Sequence, residues 1–522
     1  MYICSCMLTS AFEILFGKAV KISGLILLLS SFVLSGAIAQ KPTKIRIIRA
    51  DDLKAGKEGK DKIQRLIGNV ILLHDSTYLY CDSAHLNEKK NSFDGFGNVH
   101  IKVSDTLNIY SEILNYSGDN KIAELHHNVR LMDKRSQLYT DHLWYDRANR
   151  YAWYLTGGEI IDTANKLVSK KGYYYTDSRE AIFSDSVVLT NPRYVMESDS
   201  LKYLTEPEIS YFYGPTTITS DSNLVYCENG WYNTKTDKSF FSKNAYIITK
   251  EQKLSGDTLY YDRNTDFGLA YGNVTLLDTV QKMLITGNYG EFKKRAGFSF
   301  VTDSAQAIMI DKKDSLFLHS DTLWIHFNKK QNPEYMLAYH KMKFFRNDMQ
   351  GMCDSLVYSF KDSTIFLYVS PVLWSEQNQL TADSVRIALS NNQIDTLALV
   401  GDAFIISIDD SVRRTYNQIK GRILVAYFKN NEMKVIKIWG NSESLYFVRD
   451  EYKRLVGINK SLSSDMRIYL DSNKIKIITP IQNVDSHMYP PGGELQGEDL
   501  LLKNFKWIEG KRPLKKEDIF VW

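Results

Sequence analysis

The sequence predicts an all-β protein, a stack of antiparallel hairpins in which each strand is folded into a V across two sheets. Three observations carry this. A Gly-Asn-Val segment recurs at a spacing of about 29 residues. A cluster of polar turn residues recurs in phase with it. Between the turns, apolar and polar residues alternate, the pattern of half-buried antiparallel strands. Composition agrees. Tyr (33) and Phe (24) are abundant and Pro (10) is scarce, as strand interiors require. No sustained 3.6-residue period follows the N-terminal segment. The formal net charge of +4 gives no broad nucleic-acid footprint, and no nucleic-acid partner is expected.

Residues 1–39 read as a cleavable signal peptide. Lys18 and Lys21 precede an apolar run, Ile22 to Leu34, and Ala37-Ile38-Ala39 supplies small residues at cleavage spacing. The run is short for a bilayer span. No Cys follows Gly36, which argues against an acylated start. Residues 40–62 are polar and basic and read as a linker, with a first strand near Ile45 to Ile48.

The array proper divides into clear repeats over 63–300 and looser repeats over 301–480. The first landmark is Gly68-Asn69-Val70. It returns at Gly97-Asn98-Val99, His127-Asn128-Val129, Asp185-Ser186-Val187, Lys243-Asn244-Ala245 and Gly272-Asn273-Val274. Looser copies are Asp303-Ser304-Ala305, Ser370-Pro371-Val372, Gly401-Asp402-Ala403 and Gly440-Asn441-Ser442. The second landmark is the turn series Asn87–Asn91, Ser117–Asn120, Asp146–Arg150, Thr176–Arg179, Thr205–Glu208 and onward, rich in Asn, Asp, Gly and Lys. A further turn in each repeat, such as His74–Thr77 or Ser104–Thr106, makes two strands per repeat.

Each strand of about 10 to 12 residues carries a break in its middle. On one strand it is the Gly-Asn-Val segment. On its partner it is an Asp-Ser or Asp-Thr step, as in Cys81-Asp82-Ser83 and Gly256-Asp257-Thr258. Gly and short polar residues accept the backbone of a bulge or corner. Alternation then places Val70, Leu72, Val99, Ile101, Val129, Leu131, Val187, Leu189, Val274 and Leu276 on one inward face. About twelve hairpins, or roughly 24 strands, at about 4.8 Å each span on the order of 115 Å. The sheet edges at the two ends invite strand addition by another copy or a similar domain. Residues 481–522 leave the pattern after Met488–Pro491. They form a tail in which Lys503, Lys506, Lys511, Arg512, Lys515 and Lys516 are set among Phe505, Trp507 and Trp522. Its reading is a capping segment with a solvated basic face; the alternative is a segment that docks a partner or an anionic surface.

No residue cluster reads as catalytic, and no metal or cofactor is expected. Cys81, Cys227 and Cys353 hold equivalent places in different repeats, too far apart to pair, and read as small buried side chains. His126-His127 are neighbours on a strand and point to opposite faces, so they do not share an ion. His74-Asp75-Ser76 has triad composition but falls in a turn. The repeated Asp-Ser pairs lack the glycine spacing of calcium-binding β-rolls. No G-x-x-x-x-G-K-[ST] loop occurs. Two other classes are a polysaccharide-active β-solenoid enzyme and a structural or adhesion repeat protein. The enzyme needs paired acids on adjacent rungs, and here the acids fall mostly at turns, about one per repeat.

The reiterated Gly68–Leu72, Gly97–Ile101, Asn128–Leu131 and Gly272–Leu276 segments, with Leu79–Ser83, Leu107–Glu112, Leu138–Leu143 and Leu254–Leu259, resemble the OstA-like family of Gram-negative bacteria. That family is related to the periplasmic LptA protein and to the N-terminal domain of the outer-membrane lipopolysaccharide translocon. The resemblance covers roughly 62–520. It implies an elongated β-jellyroll or β-taco. It also implies a non-enzymatic periplasmic scaffold, associated with the outer membrane, that shields lipid A acyl chains while lipopolysaccharide crosses the periplasm. Its partners would be lipopolysaccharide, the outer-membrane translocon and other transport components. The ten inward residues named above would then line the lipid path.

Overall fold

The computed structural model describes residues 43–522 apart from 59–60, 135, 313, 331, 391–392, 430–431, 472–473, 494 and 496. The expected signal peptide lies outside the described residues. Lys44–Trp522 form one unit, a single antiparallel ladder. Asp61–His74 pairs with Thr77–Asn87, which pairs with Ser92–Lys102, which pairs with Asn108–Ser117, and the meander continues in chain order. Some rungs are interrupted at the centre, as at Tyr151–Tyr154 and Gly158–Ile161.

The rungs fold over. His74 and Tyr116 stand at opposite ends of rungs three places apart in the ladder, which in a flat sheet would be about 30 Å apart. Here His74 Nδ1 lies 2.7 Å from the Tyr116 hydroxyl. Each rung therefore has two arms that face one another across an interior. One arm ends at the turns near 75, 104, 133 and 162, the other at the turns near 89, 119, 148 and 177.

The central break is a bulged corner. Two consecutive residues on one rung take left-handed backbone: Gly68-Asn69 (φ 77° and 46°), Gly97-Asn98 (73° and 44°), His127-Asn128 (60° and 52°), Gly272-Asn273 (71° and 48°). One residue of the next rung opposes them, and the register shifts there, between Tyr80 and Ser83 for example. Two residues against one is a β-bulge, which bends the strand. The opposing residue is commonly an acid, and the asparagine fastens to it. Asn98 Nδ2 donates to Asp82 (2.9 Å), Asn69 to Asp51 (2.7 Å), Asn244 to Glu228 (2.7 Å) and Asn273 to Asp257 (3.1 Å). Glycine at position 97 answers a second demand, since a Cβ there would overlap the Asp82 carboxylate. The same corner recurs at His340-Lys341, Val369-Ser370 and Gln482-Asn483, the first of which carries neither landmark of the repeat.

The ladder is longer than the repeats suggest. Arg46–Arg49 and Asp52–Glu58 pair with Asp61–His74, so the first rung lies inside the stretch read as a linker. Its corner is Asp51, which caps Asn69. At the far end Lys474–Ile481 and Asp485–Tyr489 form a rung against Leu455–Asp471, so the ladder ends inside the stretch read as tail.

The three cysteines are unpaired and buried, each just before a corner acid. Burial pushes their thiols up to about 12, 11 and 12 for Cys81, Cys227 and Cys353. They are packing groups at pH 7.

The tail runs back along the outer face of one arm. Leu502 and Ile519 are buried, and Leu502 packs with Phe404, Ile406, Leu445 and Phe447. Two wholly buried glutamines receive its backbone. Gln379 donates to the Lys506 carbonyl (2.6 Å) and accepts from the Ile508 amide (2.7 Å). Gln418 does the same with Leu500 and Leu502, both at 2.8 Å. Each side-chain amide thus imitates one step of a β-ladder. Gln350 accepts from Arg512 Nε at 2.8 Å, and Trp522 Nε1 donates to the Lys341 carbonyl at 2.7 Å. Lys503, Lys506, Lys511, Lys515 and Lys516 stay exposed.

Candidate functional site

The interior between the arms is packed at both ends and open in the middle. In the first rungs it is filled: Leu66, Leu72, Phe93, Ile109, Leu114 and Tyr145 are among the buried residues of one cluster. The mouth is bridged there. Arg147, on one rim, reaches Asp75 on the other (3.1 Å) and donates to Tyr116 (2.8 Å), while Lys121 meets Asp75 at 2.9 Å. One repeat on, the Tyr174 hydroxyl donates to Asp133 across the mouth at 3.0 Å. Tyr194 and Tyr232 then meet edge to face, 6.4 Å between centroids.

From beneath these bridges onward the arms stand apart around a groove of about 2840 Å³, lined in part by Asp133, Tyr174, Tyr194 and Tyr232 themselves, well above the several hundred Å³ of an ordinary small-molecule pocket. Its wall is apolar: Phe183, Met196, Leu201, Ile218, Phe241, Leu254, Leu259 and Ile285. Its rims are polar, with Arg150, Arg179, Arg193 and Arg263 among Asp177, Glu206, Asp221 and Asp237. Along one rim successive turns are stitched together. The Thr176, Thr205 and Thr234 hydroxyls donate to the carbonyls of Arg150, Arg179 and Glu208. Arg150 pairs with Asp177 at 3.1 Å, and Arg179 pairs with Glu206. These pairs are exposed and contribute little individually. Phenols at the mouth are kept protonated. Burial raises Tyr194, and burial with the Asp237 carboxylate pushes Tyr232 up to about 12.

The ten inward residues divide by position. Leu189, Val274 and Leu276 line the groove. Val187 is buried in the cluster around it. Val70, Leu72, Val99, Ile101, Val129 and Leu131 also face inward, but they lie in the filled first rungs, at most 4% exposed. Alternation reveals which face is inward. It does not reveal whether the opposite arm is in contact. Of the groove residues that the sequence leaves unmarked, Phe183, Phe241 and Leu259 sit on the arm opposite the one that follows the Gly-Asn-Val landmark, whereas Met196 pairs with Leu189 on that same arm.

The bent ladder with an apolar interior is thus an antiparallel β-jellyroll array. Residues 42–199 match the family described as OstA-like protein, the family that the repeated segments resemble. Among solved structures the chain is similar to LptH, the LptA-homologous periplasmic component of the lipopolysaccharide transport device from Pseudomonas aeruginosa. Identity is 11% and the TM-score 0.22, covering 28% of this chain and 99% of that one. No curated protein matches. Among the described residues no helix is long and apolar enough to cross a membrane.

Proposed function

We propose that this chain is a periplasmic carrier of lipopolysaccharide that acts by binding rather than by catalysis, with the lipid A acyl chains held in the groove. The observation that supports this is the long apolar trough with two polar rims. Acyl chains gain about 0.8 kcal/mol per CH₂ removed from water, and a trough wall offers that gain without a unique contact. Saccharide and phosphate groups would stay at the rims, where arginines and hydroxyls are within reach of water. Movement along the trough is passive in this reading. Drive would come from other transport components, which would join the array through strand pairing at its sheet edges, and the product would pass to the outer-membrane translocon.

The test is site-specific photo-crosslinking in the native host with the full chain. A benzophenone at Leu254 or Leu189 is expected to capture an acylated glycolipid. One at Tyr271, 61% exposed on the outer face, is expected to capture none. Silence at both groove positions, or equal capture at Tyr271, would overturn the proposal.

A further inference from the structure

We propose a second, unrelated site: a divalent transition-metal site, with Zn²⁺ as its ion, made by Glu124, His126 and His142 on the outer face of the ladder. Glu124 and His126 are two residues apart on the strand Ile122–Met132, so they share a face. His142, on the strand Gln137–Asp146, is the direct cross-strand partner of His126. The ladder therefore brings two imidazoles and a carboxylate together with no loop involved.

The distances suit a metal. Glu124 Oε1 lies 3.0 Å from His142 Nε2 and 3.6 Å from His126 Nε2. All three donor atoms lie within 4.8 Å of one another. Ligands about 2.0–2.1 Å from a tetrahedral Zn²⁺ are roughly 3.3 Å apart, between the two measured separations. Two imidazoles and one carboxylate are a borderline-soft set that suits Zn²⁺ and its transition-series neighbours over Mg²⁺ or Ca²⁺. The side chains are 21–39% exposed, so an ion can enter and water can take the fourth position. The site has a rigid floor. The His142 ring lies 3.8 Å from Trp144, which stacks on Trp153 at 5.8 Å. His127 takes no part. It turns into the corner, where Nδ1 lies 3.5 Å from Asp141.

His126 and His127 thus face different neighbours, and His126 meets His142 across the ladder. The sequence carried a signal for it. Glu124-x-His126 is followed by His142 sixteen residues later, the same offset that joins a corner acid to its asparagine.

An ion here would tie two adjacent rungs together at the edge of a corner. The test is equilibrium dialysis and calorimetric titration of the metal-stripped full chain with Zn²⁺, and Co²⁺ as a spectroscopic stand-in. One Zn²⁺ per chain is expected, unaffected by millimolar Mg²⁺ or Ca²⁺. Visible Co²⁺ bands of a tetrahedral or five-coordinate site are expected as well. His142→Ala and His126→Ala should each weaken binding at least tenfold, Glu124→Gln several-fold, and His127→Ala less than twofold. The absence of Zn²⁺ binding to the wild-type chain would overturn the proposal. So would binding that survives His142→Ala or is lost with His127→Ala. Unchanged circular dichroism of the stripped variants separates loss of ligands from loss of fold.

Discussion

At the scale of single residues, the corner is where sequence and backbone meet most directly. Gly97 combines a left-handed φ with a steric demand from Asp82. Gly97→Ala is therefore expected to destabilise the first rungs by about 2 kcal/mol or more. Asn98→Ala loses one exposed, charge-assisted bond and should cost about 0.5–1 kcal/mol. Native-state hydrogen exchange across 77–117 reads both, and Gly97→Ala combined with Asp82→Ala should cost less than the sum of the two. Gly-Asn is legible because glycine and asparagine both accept left-handed backbone more readily than other residues. Gln482-Asn483-Val484 repeats the Asn-Val of His127-Asn128-Val129, in a stretch read as tail. His340-Lys341 takes the same backbone with side chains that announce nothing. There the neighbouring rungs impose the corner, and no local pattern could have located it.

At the scale of elements, the hairpins were legible and the tail's path was not. Turn clusters and alternation are local signals, and the meander follows them. The tail's partners lie up to 181 residues away, as between Trp522 and Lys341, and a Gln in a strand does not say what it awaits. Gln379→Ala should release two buried backbone groups and weaken docking by about 1–3 kcal/mol, seen as faster proteolysis between 494 and 522. Docking should also depend on pH. His319 lies under the tail, its ring 4.4 Å from Phe520, and its Nδ1–H donates to the Ala305 carbonyl at 2.7 Å. Burial lowers its pKa below the usual 6.5, opposed more weakly by the Ala305 carbonyl and the Asp321 carboxylate. Lys343 and Lys516 also face this segment. The undocked state then binds a proton more readily than the docked one. Docking is at full strength above about pH 6.5 and weakens as pH falls through that value toward the lowered one. Clipping of the tail should rise from pH 7.5 to 5.5, and His319→Phe should flatten the rise.

At the scale of the whole ladder, function rests on how far apart the arms stand, which is a property of no one strand. The inward alternation near Val99 and near Leu189 is the same, yet one region is filled and the other open. Phe93, Tyr116 and Tyr145 fill the first. Bridges such as Arg147 to Asp75 then draw the rims together. Replacing Leu254 in the wall with Asp should reduce binding of an acylated probe several-fold while leaving strand content unchanged by circular dichroism. The same change at outward Tyr271 should do neither.

The corner fastening reaches back only one rung, and this has a consequence for how such a chain can change its length. Removing residues 229–257 joins Glu228 to Thr258, keeps the inward face inward, and leaves Asn273 sixteen residues after Glu228, ready to take that acid in place of Asp257. Such a chain is expected to fold, one hairpin shorter. Removing 28 or 30 residues instead should turn the following side chains to the other face and fail. Duplication of a gene segment can therefore set the reach of this protein in steps of roughly 9–10 Å, two strand spacings, without redesigning any part already present.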